Sequence, residues 1–219
     1  MISATGASPT EKTKDRVVYI IDDDESMRIA VGGLARSIGL HVEMFESSSD
    51  FLAFPKPDTP SCLVLDVRLH GESGLAFQEE AGQHGVRMPI LFITGHGDIE
   101  MTVKAMKAGA VDFFEKPFRN QDLLDAISRA LKRDAERIAT EQSMATLRGI
   151  YASLTQRERE VLGMVVAGLL NKQIASELNL SEITVKIHRG QMMKKMESRS
   201  LPDLVRKAEA LGIHPGRAA

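Results

Sequence analysis

The sequence contains very few of the residues on which several classes of protein depend. Among its 219 residues there are one cysteine, Cys62, two tyrosines and no tryptophan, and aromatic residues make up 5%. A single cysteine excludes an intramolecular disulfide and a cysteine-rich zinc site. With so few aromatic rings, we do not expect a stacking platform for single-stranded nucleic acid. No run approaches the roughly 18 apolar residues that span a membrane, so an integral membrane protein is not expected.

Residues 1–15 lack the apolar segment of a signal peptide. They contain Ser, Thr, Pro, Glu and Lys, a composition that predicts a flexible tail. Together with the single cysteine, this predicts a protein of the reducing cytoplasm that does not associate with a membrane. The whole chain is 43% hydrophobic and 26% charged, which is typical of a globular protein, and its length suits two domains.

The net charge of −2 conceals an uneven distribution of charge along the chain. Residues 1–153 carry 17 basic and 23 acidic side chains, a net charge of −6. Residues 154–219 carry 11 basic and seven acidic side chains, a net charge of +4. The asymmetry suggests two tasks, of which the second involves a polyanion such as nucleic acid, although chance segregation would produce the same numbers.

Five apolar runs of strand length alternate with helical patterns in the first half of the chain. The runs cover residues 17–21, 41–45, 62–65, 90–93 and 110–114. Continuous runs of β-branched and aromatic residues are typical of strands that are buried on both faces of a parallel sheet. The alternation therefore predicts a doubly wound α/β domain with five parallel strands.

The pattern becomes wholly helical after Pro117. An apolar stripe runs from Leu123 to Ile138 in a segment without glycine or proline until Gly149. One interpretation is that the last helix of the α/β domain continues into a linker helix, and the other is a solvated connector. The apolar stripe could also pair with the same stripe of a second copy of the chain. From residue 153 onwards, four short helical segments follow, with a tight turn at 179–180 between the second and the third, which is the order of a helix-turn-helix.

Polar side chains follow the ends of the predicted strands. Asp22 and Asp23 follow the first strand, Asp66 follows the third, and Thr94 and Lys116 end the fourth and fifth. These positions meet at the carboxyl edge of a parallel sheet, where ligands bind. Clustered carboxylates repel one another unless a cation neutralises them, and oxygen ligands at this density favour Mg²⁺. One carboxylate could then attack phosphorus, while the lysine and the threonine contact the phosphoryl oxygens.

Residues 17–130 resemble the receiver domain of response regulators. Four segments carry the resemblance: 21–25 (IDDDE), 65–69 (LDVRL), 93–98 (ITGHGD) and 113–118 (FFEKPF). The resemblance implies a flavodoxin-like sheet with the strand order 2-1-3-4-5. It also implies that Asp66 is the phosphoacceptor and that Mg²⁺ is held by Asp22, Asp23, Asp66 and the backbone carbonyl of Arg68.

The same resemblance assigns the residues that transmit the signal. Thr94 and Phe113 would form the switch pair, Lys116 would contact the phosphoryl group, and the peptide bond before Pro117 is expected to be cis. By the same resemblance, Arg68 and His96 would flank the phosphoacceptor and are candidates for tuning the lifetime of the acyl phosphate, or His96 is simply an exposed histidine of a loop.

The third helix of the C-terminal unit divides its residues between a core face and an outer face. Val185, Met192 and Met196 share one face at helical spacing and are predicted to be core. The remaining faces expose donors and small residues, as a recognition helix requires, and Gly190 permits close approach of a DNA backbone or is a neutral surface position. The predicted DNA-contacting residues are Lys172, Ser181, Thr184, Lys186, Ile187, His188, Arg189 and Lys195.

This C-terminal unit is similar to the LuxR-type helix-turn-helix. The matching segments are 154–162 (LTQREREVL), 171–175 (NKQIA), 180–189 (LSEITVKIHR) and 192–196 (MMKKM). A receiver followed by this module resembles a response regulator of the NarL/FixJ family. Ile183 departs from the family pattern, because a basic residue often stands at that position.

The two resemblances together predict a phosphorylation-dependent transcriptional regulator that is not an enzyme. Its expected partners are a sensor histidine kinase, double-stranded DNA, RNA polymerase and, after phosphorylation, a second copy of the chain. The predicted regions are a tail (1–15), a receiver (16–134), a helical linker (135–152) and a DNA-binding domain (153–219).

Two alternatives remain open at this stage. A Mg²⁺-dependent phosphohydrolase would share the aspartate, lysine and threonine, but such enzymes usually place a second aspartate where this chain has Arg68. A protein-interaction adaptor would have a helical unit that does not touch DNA, and the positive charge of residues 154–219 disfavours it.

Overall fold

The computed structural model describes residues 16–95 and 99–214. The predicted tail at 1–15 and His96 therefore lie outside the described residues. The chain divides into two compact units, Met1–Ala139 and Thr140–Ala219. No helix in the described ranges combines the length and the apolar character needed to cross a membrane.

The first unit is built on a five-stranded parallel sheet. Its strands are β1 (Val17–Ile21), β2 (His41–Phe45), β3 (Ser61–Asp66), β6 (Ile90–Thr94) and β7 (Asp112–Glu115). They lie in the order β2-β1-β3-β6-β7, and all neighbouring pairs are parallel. Counted within this sheet alone, the order is 2-1-3-4-5, so the predicted flavodoxin-like topology is confirmed.

Two very short strands form a hairpin that the sequence pattern does not predict. Strands β4 (Arg68–Leu69) and β5 (Glu72–Ser73) pair antiparallel directly after β3. Gly71 in the connecting turn has a φ of +78°, a conformation that glycine adopts without steric cost. Strands of two residues are too short to show an alternating pattern of apolar residues, which is why they escape detection.

Helices cover both faces of the sheet. They are α1 (Glu25–Ser37), α2 (Ser48–Ala53), α3 (Gly74–Ala81), α4 (Ile99–Lys107) and the long α5 (Asn120–Ala152). Because side chains alternate along a strand, Val18 and Ile20 pack with α1 and α5, while Tyr19 and Ile21 pack with α2, α3 and α4. All five residues of β1 are buried, as expected for a strand enclosed on both faces.

The helix α5 is continuous over 33 residues, which corresponds to a length of about 50 Å. The last helix of the α/β unit therefore does run on past Ala139, as one of the two interpretations of the apolar stripe predicted. Leu123, Ile127 and Leu131 are buried against the sheet, whereas residues 139–143 are exposed. Leu147 and Ile150 near the end of α5 pack against the core of the second unit.

The second unit is wholly helical within the described residues. It contains α6 (Gln156–Val166), α7 (Asn171–Leu178), α8 (Glu182–Lys195) and α9 (Leu201–Ala210). The predicted capping box is present: Thr155 accepts a hydrogen bond from the Glu158 backbone, and the Glu158 side chain accepts one from the Thr155 backbone. The core residues on α8 are the predicted ones, since Val185, Met192 and Met196 are all fully buried.

One fully buried carboxylate attaches α5 to the start of β3. Asp134 is 0% exposed, and its Oδ2 accepts a hydrogen bond of 2.9 Å from the backbone N–H of Ser61. Its Oδ1 accepts a second one of 2.8 Å from Nε of Arg137. A buried charge is tolerated only when it is paired and hydrogen-bonded, and Asp134 meets both conditions.

Replacing this carboxylate should destabilise the first unit. We expect Asp134→Ala to lower the free energy of unfolding by about 2–3 kcal/mol, because the buried N–H of Ser61 loses its acceptor. Asp134→Asn retains an acceptor oxygen and should lose less. Urea denaturation of these variants beside Asp125→Ala, an exposed position on the same helix, measures the effect, and wild-type stability in Asp134→Ala would contradict it.

Candidate functional site

Three carboxylates converge at the carboxyl edge of the sheet. Asp22 directly follows β1 and Asp66 ends β3, and both side chains are buried, while Asp23 is half-buried. One carboxylate oxygen from each residue lies within 4.8 Å of the others. The structure therefore brings together the three aspartates that the sequence predicted as a cation site.

The ammonium group of Lys116 lies between two of these carboxylates. Its Nζ donates hydrogen bonds of 3.0 Å to Oδ2 of Asp22 and 2.8 Å to Oδ2 of Asp66. Burial raises the pKa of Asp22 above its ordinary value, as does the Asp66 charge, and the hydrogen bonds from Lys116 and Asp24 compensate only in part. Burial lowers the pKa of Lys116, but its bonds to the two carboxylates outweigh this effect and raise it overall. The lysine is therefore held in its charged form.

The backbone around Asp66 fixes the position of its carboxylate. Its Oδ1 accepts a hydrogen bond of 2.8 Å from the backbone N–H of Arg68, whose side chain is exposed. At the start of α3, a methyl group on Gly74 would overlap the backbone carbonyl oxygen of Asp66. Only glycine permits this close approach, and no pattern in the sequence predicts that Gly74 belongs to the site.

The predicted switch residues lie on β6, which pairs with β3, and on β7, which pairs with β6. Thr94 ends β6 and is fully buried. Its backbone carbonyl accepts a hydrogen bond of 2.7 Å from the backbone N–H of Lys116, which connects the ends of β6 and β7. Phe113 on β7 is half-buried, with its ring centroid 6.2 Å from that of Phe92. The peptide bond between Lys116 and Pro117 is cis, as predicted.

A histidine of the short hairpin also reaches the acidic cluster. Nδ1 of His70 lies 2.5 Å from Oδ2 of Asp23, although the His70 side chain is 88% exposed. No motif in the sequence predicts a role for His70. The only signal would have been its position four residues after Asp66, and that becomes meaningful only once the hairpin is known.

The second candidate site is the helix-turn-helix formed by α7 and α8. Asn179 between the two helices adopts a left-handed conformation with a φ of 53°. The Oγ of Ser181 accepts a hydrogen bond of 3.1 Å from the backbone N–H of Thr184 and so caps α8. The predicted order of short helix, turn and longer helix is therefore present.

The predicted DNA-contacting residues differ in how freely they can reach a ligand. Lys172, Lys186 and Ile187 are exposed. Arg189 is half-buried and donates a hydrogen bond of 3.0 Å to Oδ1 of Asn171. His188 is half-buried, and its Nδ1 is enclosed without a hydrogen-bond partner among the described residues.

Two further predicted contacts are engaged within the domain. Thr184 is half-buried, with its Oγ1 2.8 Å from Oγ of Ser181. Nζ of Lys195 donates a hydrogen bond of 2.7 Å to Oε2 of Glu158, which is 2% exposed. Lys195 therefore has a structural partner that the sequence pattern did not suggest.

Known families match both units. Residues 18–128 match the response regulator receiver domain, and residues 152–208 match the bacterial regulatory proteins of the luxR family. Nodulation protein W of Bradyrhizobium diazoefficiens is 52% identical over 93% of this chain and 90% of its own length. The transcriptional regulatory protein FixJ of Rhizobium meliloti is 42% identical over 92% of this chain and 98% of its own length.

The chain belongs to the NarL/FixJ family of response regulators. Among solved structures, that of response regulator StyR is similar with a TM-score of 0.81 and 47% identity, over 89% of this chain and 98% of that one. The structure of full-length FixJ from B. japonicum has a TM-score of 0.54 and 37% identity, over 91% of this chain and 98% of that one. As a member of this family, the protein is a phosphorylation-dependent transcriptional regulator with a receiver domain and a DNA-binding domain.

The buried Glu158, paired with the exposed Lys195, makes a pH-dependent contribution to the stability of the regulator's DNA-binding domain. Burial raises the pKa of Glu158, but the hydrogen bonds from Lys195 and Thr155 outweigh burial and hold it below its ordinary value of 4.5. A carboxyl group whose pKa is lowered by folding stabilises the fold above that ordinary value, and this contribution is lost as the pH falls below it.

We therefore expect Glu158→Gln to lower the free energy of unfolding by about 1–2 kcal/mol at pH 7. The difference from wild type should shrink as the pH is lowered from 5 to 3. Urea denaturation across this range measures both effects, and Glu177→Gln, at an exposed position in the same domain, is the matched control. A difference that stays constant with pH would show that the charge of Glu158 does not matter.

Proposed function

We propose that Asp66 is the phosphoacceptor through which a sensor histidine kinase controls this transcriptional regulator. One observation carries the proposal: the buried Asp66 carboxylate lies beside two other acidic side chains and within 2.8 Å of the Lys116 ammonium. No other arrangement of side chains described above combines an oxygen nucleophile, a cation and further anionic ligands.

The proposed reaction transfers a phosphoryl group from a phosphohistidine of the kinase. A carboxylate oxygen of Asp66 attacks phosphorus, the phosphorus–nitrogen bond breaks, and the electron pair returns to the imidazole, which takes up a proton. In the structure, Lys116 is hydrogen-bonded to Asp22 and Asp66. After the transfer, Lys116 would donate a hydrogen bond to one phosphoryl oxygen, and the hydroxyl of Thr94 would donate one to another. The product is an acyl phosphate, whose hydrolysis makes the signal reversible.

The donor set fits Mg²⁺. Three carboxylates whose oxygens lie within 4.8 Å of one another supply the hard oxygen ligands that this ion prefers. Asp22, Asp23 and Asp66 would hold the ion together with the backbone carbonyl of Arg68. When bound, Mg²⁺ neutralises the carboxylates and the incoming phosphoryl oxygens.

Phosphorylation would change the surface near β6 and β7. The phosphoryl group adds a charge of about −1.5 to −2 beside Thr94 and Lys116. The Thr94 side chain moves towards it, and the half-buried Phe113 turns into the space that is left. The altered surface then either forms a homodimer or releases the DNA-binding domain, and the bound regulator contacts RNA polymerase. Turnover of a substrate is not part of this function, which is exerted in the cytoplasm.

The regions of the chain divide this work between them. The receiver (16–134) takes the signal, the helical linker (135–152) connects the domains, and residues 153–219 bind double-stranded DNA. Lys172, Lys186 and Arg189 neutralise phosphates of the DNA backbone. The N-terminus of α8, which Ser181 caps, binds a further phosphate. Lys195 contacts the backbone from the C-terminal end of α8. Thr184, Ile187 and His188 lie on the helix that enters the major groove.

A comparison of DNA affinity with and without a phosphodonor tests this proposal. With acetyl phosphate and Mg²⁺, we expect the affinity of the wild-type protein for a duplex selected from a randomised library to rise at least tenfold, which equals a coupling of about 1.4 kcal/mol. Asp66→Asn should abolish the increase, and Asp23→Asn should reduce it by weakening the cation site. Gel retardation at fixed salt measures the affinities.

The matched control is Asp58→Asn, which changes an exposed aspartate in a loop before β3. It should respond to acetyl phosphate as the wild type does. An equal increase in Asp66→Asn and the wild type, or no increase in either, would contradict the proposal.

A further inference from the structure

The outer face of α8 carries two exposed isoleucines one helical turn apart. Ile183 is 74% exposed and Ile187 is 53% exposed. Each residue of an α-helix turns the side chain by about 100°, so these two positions lie on the same face. That face is opposite Val185 and Met192, which are fully buried. The core of the domain therefore does not use either isoleucine.

The same stripe continues towards the end of α8 with a glycine and a lysine. Gly190 and Lys194 follow Ile187 at helical spacing, and both are exposed. A Cβ atom on Gly190 would meet no atom within 4 Å, so packing within the protein does not require glycine there. Glycine inside a helix costs about 1 kcal/mol relative to alanine. Its bare backbone is useful if a ligand lies directly against this face.

The charge around the stripe identifies the kind of ligand. Lys172 is exposed on α7, and Lys186 is exposed on α8 between the two isoleucines in sequence. Residues 154–219 as a whole carry a net charge of +4. On α8 itself, exposed Lys186 and Lys194 outnumber exposed Glu182, so this surface favours an anionic ligand that also presents apolar groups to the two isoleucines. The major groove of DNA satisfies both conditions, because phosphates border it and the 5-methyl group of thymine is the apolar group on its floor.

We propose that Ile183 and Ile187 determine sequence specificity by contacting thymine methyl groups in the major groove. This inference rests on DNA binding through α8, and it adds the chemical feature of the base pairs that the helix reads. Ile183 lies in the first turn of α8, and the first residues of a recognition helix are those that reach base edges.

Replacing thymine with deoxyuridine tests the inference, because it removes only the methyl group. The full-length protein, treated with acetyl phosphate, first selects duplexes from a randomised library. Each enriched thymine is then replaced singly, and the dissociation constant is measured by fluorescence anisotropy. We expect one or two positions at which the wild type loses about three- to fourfold in affinity, the effect of burying one methyl group.

Two variants assign the effect to the isoleucines. Ile183→Ala and Ile187→Ala should each bind thymine and uracil equally at one of these positions, and the exposure of both side chains makes misfolding unexpected. Ile29→Ala, an exposed isoleucine of α1 with 58% exposure, should retain the wild-type preference. Lys186→Ala should weaken binding to both duplexes and reduce the dependence of affinity on salt, without changing the preference for thymine.

Equal affinity of the wild type for thymine and uracil at every enriched position would overturn the inference. A loss of affinity in Ile183→Ala and Ile187→Ala that is the same on both duplexes would also overturn it, because the isoleucines would then support DNA binding without reading the methyl group. If no duplex is enriched, DNA binding itself fails and the inference fails with it. The three outcomes are therefore distinguishable.

Discussion

The pairing of one ammonium group with two buried carboxylates is the interaction on which the receiver site depends. Lys116 comes from the end of β7, Asp22 follows β1 and Asp66 ends β3, so their hydrogen bonds connect three strands that are distant in sequence. Without the lysine, acidic groups this close would repel one another and would be costly to bury. The same arrangement holds the Asp66 carboxylate at the carboxyl edge of the sheet, at the end of β3.

The DNA-binding domain uses a related device for a different purpose. The buried Glu158 binds Lys195 and closes the capping box at the start of α6, so that it attaches the end of α8 to the beginning of α6. In the receiver, a lysine neutralises two clustered carboxylates, whereas here a lysine neutralises a single carboxylate that closes a helix cap. The isoleucines and Lys194 on the outer face of α8 take no part in this contact, and they remain exposed.

Most of the fold and the receiver site could be predicted because they depend on local patterns and on the geometry of parallel sheets. The carboxyl ends of parallel strands share one edge of the sheet, so the sequence alone predicts that Asp22, Asp66 and Lys116 meet there. The carboxylate of Asp134 and the close approach at Gly74 depend on which elements face each other, and no local pattern contains that information. Lys195 is a basic residue on a predicted recognition helix, and that position predicts a contact with DNA. Its hydrogen bond to Glu158 depends on how α6 and α8 pack together, which the sequence pattern does not reveal.

Intact mass spectrometry of the full-length protein tests the central claim most directly. After incubation with acetyl phosphate and Mg²⁺, we expect a mass increase of one phosphoryl group that is labile in alkali, as acyl phosphates are. The increase should be absent when Asp66 is replaced by asparagine. No increase in the wild-type protein, or the same increase in that variant, would contradict the assignment of Asp66 as the phosphoacceptor.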